Sequence, residues 1–370
     1  MNQGRVMSTD SPALLLTGAS GLVGSELRER LVAARPDRRL FLLTRRPEAI
    51  APVAAGMTIL EGDLRAPGLG LSTGDAAVLG NSLTEIIHSA ADTRFDLPIE
   101  EARATNVGGT ENLLRFALGC RKLAKFAHIS TVYVAGRASG RIPEAPFRPS
   151  NGFSSSYQQT KLEAEELVAH YQTPLPVAIF RLSSIIGDSR TGRVRQFNHV
   201  HQLMRLFPRN VLPVAPAVPD APLDLIATDW TVSALAWLFE NRFAAGRVYH
   251  LCAGPGGSFS VGEMLEITRE MFETHPKARR WLPIRLPKLV SLPEYEAWVE
   301  KTRRGGDRLL NELLRVLGFF LPHLGIRQAF ENKLTLERLA ASGLQLPSSR
   351  ETYRKVLAYC LDSDWGRLPV

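Results

Sequence analysis

The stretch LLLTGASGLVGSEL, from Leu14 to Leu27, decides the fold of this chain. An apolar run leads into a turn with glycines at positions 18, 21 and 24, and helix-forming residues follow. Glycine lets the backbone of such a turn approach a pyrophosphate, and the N-terminus of the helix offers unpaired N–H groups to the phosphates. The stretch therefore predicts a strand, a dinucleotide-binding turn and a helix. A tight turn without a ligand is the alternative, because the spacing is not G-x-G-x-x-G.

Apolar runs and amphipathic segments alternate along the first half of the chain. Helices that join parallel strands cover both faces of the sheet, so this alternation predicts an α/β fold with a Rossmann-type, doubly wound parallel sheet. Residues 222–254 repeat the pattern of strand, helix and strand, and we expect them to return to the main domain. The runs predicted as strands are Leu14–Leu16, Leu40–Leu43, Met57–Leu60, Glu85–Ser89, Lys125–Ser130 and Val177–Leu182.

The pattern changes at two places, which predicts a second domain. Residues 192–221 are rich in proline, and a helical pattern dominates from residue 255 onward. We expect residues 13–191 and 222–254 to bind the dinucleotide. Residues 192–221 and 255–370 would form a smaller, mainly helical C-terminal substrate-binding cap over the carboxyl edge of the sheet. The apolar segment Leu309–Gly325 is interpreted first as core packing, with an acyl pocket or membrane contact as alternatives.

The composition is that of a globular protein, with 45% hydrophobic and 22% charged residues among 370. No run reaches the roughly 18 apolar residues of a membrane span, and the first residues lack the apolar core of a signal peptide. We therefore expect a cytoplasmic protein. Cys120, Cys252 and Cys360 are too scattered for a disulfide framework or a zinc motif, and we expect no metal site.

The formal net charge of +8 favours an anionic partner. A phosphorylated cofactor, coenzyme A and an acidic carrier protein all fit this description. The basic residues are dispersed and no nucleic-acid-binding module surrounds them, so we expect no nucleic-acid partner. Peripheral contact with a membrane and the oligomeric state are left open.

Tyr157 and Lys161 lie four residues apart in SSSYQQTKLEAEEL, which predicts that they share one helix face. We expect the lysine cation to lower the pKa of the phenol, so that Tyr157 acts as an acid at neutral pH. An apolar strand ends at Ser130 and Thr131, where this architecture places reactive groups. One of these hydroxyls would help Tyr157 to bind a carbonyl oxygen. A surface Tyr–Lys pair and a capping hydroxyl are the alternatives.

The cofactor preference is predicted from the residues that follow the second strand. A site selective for NAD places an acidic residue there to bind the ribose 2′-hydroxyl. This chain has Arg45 and Arg46 instead. Guanidinium groups form charge-assisted hydrogen bonds with a phosphate, so we expect NADPH, with merely solvated arginines as the alternative.

Six motifs in a fixed order resemble the extended short-chain dehydrogenase/reductases. They are TGASGLVG, GDL at 62–64, HSAA at 88–91, NVGGT at 106–110, the strand-end Ser130-Thr131 and YQQTK at 157–161. The segments GDLRAPGLGLS, ADTRFD, HISTVYVAG and GDSRTG look like the thioester-reducing branch with its male-sterility-like NAD-binding domain. That branch holds fatty acyl-CoA reductases and the terminal reductase domains of carboxylic acid reductases, polyketide synthases and nonribosomal peptide synthetases. The resemblance covers residues 14–254 and is thinner beyond them.

The resemblance implies roles for individual residues. It makes Thr131, Tyr157 and Lys161 catalytic, with Ser130 as the alternative hydroxyl. Asp63 would contact the adenine. Together with the two arginines, the implied cofactor-binding residues are Gly18, Ser20, Gly21, Leu22, Val23, Gly24, Arg45, Arg46, Asp63, Leu64, Ala90, Ala91, Asn106 and Lys161. One departure is Arg181-Leu182, where many relatives have Arg-Pro.

The function that the resemblance implies is NADPH-dependent reduction of an acyl thioester to the aldehyde, with further reduction to the alcohol left open. The thioester would be an acyl-CoA or an acyl chain on the phosphopantetheine arm of an acyl carrier protein. The alternatives are a ketone or hydroxysteroid-type dehydrogenase, a nucleotide-sugar epimerase, and an NADP-sensing protein without turnover. The presence of Thr131, Tyr157 and Lys161 together argues against the last of these.

Overall fold

A computed structural model of the protein describes residues 11–50, 56–281, 283–306, 310, 311, 314, 318 and 321–368. Its central sheet consists of β1 Ala13–Thr17, β2 Arg39–Thr44, β3 Met57–Glu61, β4 Glu85–His88, β5 Lys125–Thr131, β6 Val177–Leu182 and β7 Val248–Leu251. The strands lie in the order β7-β6-β5-β4-β1-β2-β3, and all neighbours are parallel. The predicted Rossmann-type sheet is therefore confirmed.

Helices connect the strands and form most of the remainder of the described chain. The α-helices are α1 Leu22–Ala34, α2 Thr73–Ser82, α3 Ile99–Arg103, α4 Gly109–Leu118, α5 Ser156–His170, α6 His199–Leu206, α7 Thr228–Asn241, α8 Gly254–Gly257, α9 Val261–Thr274, α10 Leu292–Arg304, α11 Lys333–Leu339 and α12 Ser349–Asp362. A π-helical segment, Ala104–Gly108, joins α3 to α4. Short 3₁₀ turns include Val132–Ala135 and Leu321–Gly325.

Both faces of the sheet are buried, which explains the unbroken apolar runs in the sequence. Successive residues of a strand point to opposite faces. Leu14 and Leu16 of β1 pack in one core with residues of α1 and α7, such as Leu27 and Leu235. Leu15 packs on the other face, in a core with residues of α2 and α4. A parallel sheet covered in this way needs apolar residues at every strand position.

Residues 222–254 return to the central sheet only in part. Val248–Leu251 forms its edge strand beside β6, as expected. Leu225–Ala227 pairs instead with Ser184–Gly187, which follows β6 and lies beyond its carboxyl end. The remaining two-stranded pairs are Gly140–Ile142 with Gln328–Phe330, Val214–Pro216 with Lys288–Val290, and Pro222–Leu223 with Phe259–Ser260.

A further core lies within the predicted cap, where α6, α9 and α12 pack together. Leu314, Leu321 and Leu324 are buried in it, so these residues of Leu309–Gly325 serve core packing, and part of that segment lies outside the described residues. The division into two domains stays a prediction. Leu339 of α11, assigned to the cap, packs with α7 in the core of the sheet.

A buried ion pair ties α5 to the sheet. The guanidinium of Arg181 on β6 bonds both carboxylate oxygens of Glu165 at 2.7 to 3.2 Å. It also donates to the carbonyl oxygen of Ala145 at 3.0 Å and to Nε2 of His250 at 3.2 Å. Arg181 is fully buried, so it is a structural arginine of the core.

We expect Glu165→Gln to lower the free energy of unfolding by about 3 kcal/mol, because the Arg181 charge would stay buried without a counter-charge. The next residue supplies a control. Glu166 pairs with Arg148, and its side chain is 42% exposed against 4% for Glu165. Glu166→Gln should change the free energy by less than about 0.5 kcal/mol. Urea denaturation measures both, and equal effects would contradict this account.

Candidate active site

The glycine turn after β1 exposes backbone where a phosphate would lie. Gly18 has φ +73°, and a Cβ there would stand 2.6 Å from the backbone nitrogen of Ala90. A Cβ on Gly24 would stand 2.1 Å from the carbonyl oxygen of Gly18, so α1 packs directly on the turn. Gly21 precedes α1, and no side chain caps that helix. The first N–H groups of α1 therefore suit an anion. Of the other predicted cofactor residues, Ser20 is exposed, while Leu22, Val23, Leu64, Ala90 and Ala91 are partly exposed.

A buried hydrogen-bond relay joins the ends of β1 and β4. Thr17 Oγ1 accepts the N–H of Ala90 at 3.2 Å and lies 2.8 Å from His88 Nδ1. Thr110 Oγ1 lies 2.9 Å from His88 Nε2 and donates to the carbonyl oxygen of Asn106 at 2.6 Å. The Thr110 hydroxyl donates its only proton to that carbonyl, so its oxygen can only accept a hydrogen bond from His88. The proton of the His88 ring therefore lies on Nε2. Burial lowers the pKa of His88 to about 3, so the ring is neutral.

Asn106 continues this relay and does not offer its side-chain donors to a cofactor. Its Oδ1 accepts the N–H of Asp92 at 2.7 Å. Its Nδ2 donates to the carbonyl oxygen of Asp92 and to Thr160 Oγ1, both at 3.0 Å. The two donors of its amide nitrogen are used within the protein, and the contact of Asn106 with the cofactor stays a prediction. The residue positions the loop after β4 against α5.

Tyr157 and Thr131 meet at the carboxyl end of β5. Helix α5 begins after Ser155, whose Oγ caps its first turn and so places Tyr157 at the helix start. The Thr131 hydroxyl lies near the Tyr157 hydroxyl and acts to lower its pKa, against the larger effect of burial, which raises it. Ser130 lies on the opposite face of the strand, and its buried Oγ has no hydrogen-bond partner within the described part of the chain. Thr131 is therefore the hydroxyl that joins Tyr157.

The predicted effect of Lys161 on Tyr157 is wrong for this structure. The ammonium of Lys161 donates to the carbonyl oxygen of Ile129 at 2.8 Å and to His128 Nε2 at 3.4 Å. Burial raises the pKa of Tyr157 to about 12, although Thr131 opposes this. Burial lowers the pKa of Lys161 to about 8, although Glu165 opposes this. At neutral pH Tyr157 is thus a protonated donor and Lys161 a buried cation.

Charged side chains surround the opening beyond β2 and β3. Arg45 and Arg46 directly follow β2, and both are exposed. The Asp63 carboxylate accepts hydrogen bonds from the backbone and guanidinium of Arg65, both at 2.9 Å. Arg65 and, more weakly, Arg45 lower the pKa of Asp63. The Arg45 guanidinium therefore faces the same opening as Asp63.

Several side chains near Tyr157 were missed in the sequence. The ring of Phe95 meets the ring of Tyr157 edge-on at 5.3 Å and that of His199 at 4.9 Å. These contacts join separate segments, so no spacing in the sequence announces them. The available signal was that two of the residues lie in the ADTRFD and HISTVYVAG motifs. The missed residues are Phe95, Tyr133, Gln158, His199 and His323.

Within the described ranges, no group of three or more His, Cys, Asp and Glu side chains is arranged to hold a metal ion. None of the helices that the structure describes combines the length and the apolarity needed to cross a bilayer. The three cysteines are buried free thiols.

Fold and site together define an NAD(P)-binding domain of the extended short-chain dehydrogenase/reductase type. Residues 49–235, about half of the chain, match the NAD-binding family described as male sterility protein. The chain belongs to this family, in the branch that contains thioester reductases and fatty acyl-CoA reductases.

Known proteins similar to the chain agree with this membership. The terminal R domain from the myxalamid PKS-NRPS pathway has a TM-score of 0.76 and 26% identity, over 100% of this chain and 97% of that chain. Hybrid PKS-NRPS synthetase gkaA of Penicillium citrinum is 34% identical over 47% of this chain and 5% of its own length. Fatty acyl-CoA reductase wat of Drosophila melanogaster is 26% identical over 64% of this chain and 56% of its own length. The chain thus spans only a small part of the synthetase.

We expect Gly24→Ala to weaken NAD(P) binding at least tenfold and to lower the free energy of unfolding by about 1–3 kcal/mol, because the new methyl group collides with the Gly18 carbonyl. Gly74→Ala in α2 is the control, since the nearest atom to its Cβ is 3.9 Å away. That variant should bind the cofactor normally. Fluorescence titration and urea denaturation measure the two effects, and normal binding by Gly24→Ala would contradict the assigned turn.

Proposed function

We propose that the protein is an NADPH-dependent reductase of acyl thioesters. The acyl group would be carried on coenzyme A or on the phosphopantetheine arm of an acyl carrier protein. The product would be the aldehyde. The observation that carries the proposal is that the Thr131 and Tyr157 hydroxyls lie near each other at the carboxyl end of β5. Two hydroxyl groups at this edge suit a carbonyl oxygen that gains negative charge. The family and the matched R domain support the choice of a thioester.

The residues present fit the proposed cofactor. A Cβ at Gly18 or Gly24 would collide with neighbouring backbone, so these glycines keep the turn tight and place the N-terminus of α1 where the pyrophosphate would lie. Lys161 would hold the nicotinamide ribose, and Asp63 would contact the adenine. When bound, NADPH supplies a hydride to the thioester carbon.

The roles of the protein groups follow from their protonation states. Tyr157 holds its proton at neutral pH, so it donates a hydrogen bond to the substrate oxygen as negative charge develops there. Thr131 orients that hydroxyl or donates to the same oxygen. Addition of the hydride to the thioester carbon would give a thiohemiacetal anion. Its collapse re-forms the C=O bond and breaks the C–S bond, and the released thiolate takes one proton from water to become the thiol. A second reduction to the alcohol would need Tyr157 to donate its proton.

Arg45 and Arg46 support the choice of NADPH over NADH. Both guanidinium groups are exposed at the end of β2, where the adenosine ribose of a Rossmann cofactor lies. The charge of Arg45 also reaches Asp63 and Asp92, whose pKa values it helps to lower. A 2′-phosphate placed there would meet positive charge.

Tyr157→Phe should reduce turnover of an acyl thioester at least about a hundredfold, because the donor to the substrate oxygen is lost. NADPH binding should remain nearly unchanged. Tyr171→Phe, at the other end of α5, is the matched control and should keep full activity. Thiol release with a long-chain acyl-CoA or acyl carrier protein measures turnover. Full activity of Tyr157→Phe would defeat the role assigned to its hydroxyl.

Arg45→Ala and Arg46→Ala should each weaken NADPH binding about tenfold and leave NADH binding nearly unchanged, because only NADPH carries the 2′-phosphate. Arg121→Ala provides the control. Arg121 is also exposed but precedes β5, at the opposite edge of the sheet. Calorimetric titration with both nucleotides measures the preference. Equal losses for the two nucleotides would reject recognition of the 2′-phosphate.

A further inference from the structure

A cleft adjoins the Thr131–Tyr157 pair, between the turn after β5 and residues of the predicted cap. Tyr133 connects the cleft to the pair, because its N–H donates to Thr131 Oγ1 at 3.2 Å. Burial raises the pKa of the Tyr133 hydroxyl to about 12, and the Tyr157 hydroxyl lies near enough to add to this shift. A substrate whose carbonyl oxygen lies on Tyr157 would extend past this cleft. Residues lining it include Tyr133, Leu223, Asp224, His323, Gln328 and Phe330.

Gln158 fixes the position of the proton on His323. The Oε1 atom of Gln158 accepts the N–H of Ser154 at 2.8 Å, so its amide nitrogen faces His323. That nitrogen donates to His323 Nε2, which must be the acceptor of the imidazole ring. A neutral imidazole has one donor and one acceptor, so the proton lies on Nδ1. Burial lowers the pKa of His323 to about 4, and the ring is therefore neutral at neutral pH.

The Nδ1–H group of His323 is a buried donor without a hydrogen-bond partner among the residues that the structure describes. Other polar groups of the cleft are paired. The Tyr133 hydroxyl bonds Ser184 Oγ at 2.7 Å, and the Asp224 carboxylate accepts two backbone N–H groups at 2.8 and 2.9 Å. An unpaired buried donor carries a free-energy cost that a ligand oxygen would remove. His323 is thus the group in the cleft whose hydrogen bonding a substrate would complete.

We propose that His323 binds an acceptor oxygen of the acyl group, and that the preferred substrates carry a hydroxyl or amide oxygen close to the thioester. The inference rests on the function proposed above and adds the substrate class. A plain hydrocarbon chain leaves the Nδ1–H unpaired, whereas an oxygenated chain pairs it. Sites built to bond a substrate oxygen discriminate against the analogue that lacks it, since the buried group then stays unpaired.

The test compares three pantetheine thioesters of equal chain length: octanoyl, 3-hydroxyoctanoyl and N-pentanoylglycyl. The wild-type protein should reduce at least one of the two oxygenated thioesters with a kcat/KM about tenfold above that of octanoyl. His323→Phe should bring this ratio close to one, mainly through KM. His323→Asn, whose amide nitrogen replaces Nδ1, should restore part of the ratio. His170→Phe, exposed at the end of α5, is the control and should leave the ratio unchanged.

The outcomes separate the two proposals. If the wild-type protein reduces none of the thioesters, the proposed function and this inference both fail. If it reduces all three equally, or if His323→Phe slows all three by the same factor, the proposed function stands and this inference is overturned. The second result would mean that His323 has a structural role or binds the pantetheine arm. NADPH binding checks that each variant is folded, and His323→Asn decides the question if His323→Phe fails that check.

Discussion

The site depends on one relay of hydrogen bonds, which runs from Ala90 through Thr17, His88 and Thr110 to Asn106. Asn106 extends it to Thr160, so it joins the ends of β1 and β4 to the helix that carries Tyr157 and Lys161. Every group in the relay is wholly or largely buried, so water cannot replace a hydrogen bond that is lost there. The loss of one of these bonds would therefore cost free energy. Each donor also has a defined acceptor, which gives the relay one direction and the ring of His88 one tautomer. The glycine turn and the catalytic helix are thereby held at a fixed separation.

The same burial sets the protonation states of the reactive groups. Burial disfavours the charged form of any group, so the pKa of Tyr157 rises and that of Lys161 falls. Neutral pH lies below both values, which keeps the proton on the phenol and the charge on the ammonium. For the proposed reaction, the protonated Tyr157 would supply the hydrogen-bond donor to a substrate oxygen that gains negative charge. The spacing of Tyr157 and Lys161 predicts a lowered pKa for the phenol, whereas burial raises it in this structure.

The sequence predicts features that repeat locally and misses those that depend on distant contacts. Val177–Leu182 was predicted as a strand because both faces of the sheet bury it, and the structure has the same bounds. Leu225–Ala227 was expected in the main domain, but three apolar residues do not reveal which strand they pair with. The meeting of Thr131 and Tyr157 followed from two motifs at the same sheet edge. The contact between Gln158 and His323 spans 165 residues and has no periodic signal. Spacing alone also does not show that the ammonium of Lys161 points away from Tyr157, so it does not predict that the pKa of Tyr157 rises.

The position of His323 follows from the way the C-terminal part of the chain is anchored. Gln328–Phe330, five residues after His323, pairs with Gly140–Ile142 in the segment that follows β5. Glu144, just beyond, accepts backbone N–H groups from the first turn of α11 at 2.7 and 3.0 Å. These bonds join the chain after His323 to the loops at the carboxyl edge of the sheet, while Leu321 and Leu324, on either side of His323, pack in the core of the predicted cap. His323 is therefore held both by the loops that follow β5 and by the predicted cap, so the proposed selection of acyl chains would depend on how these two parts pack together.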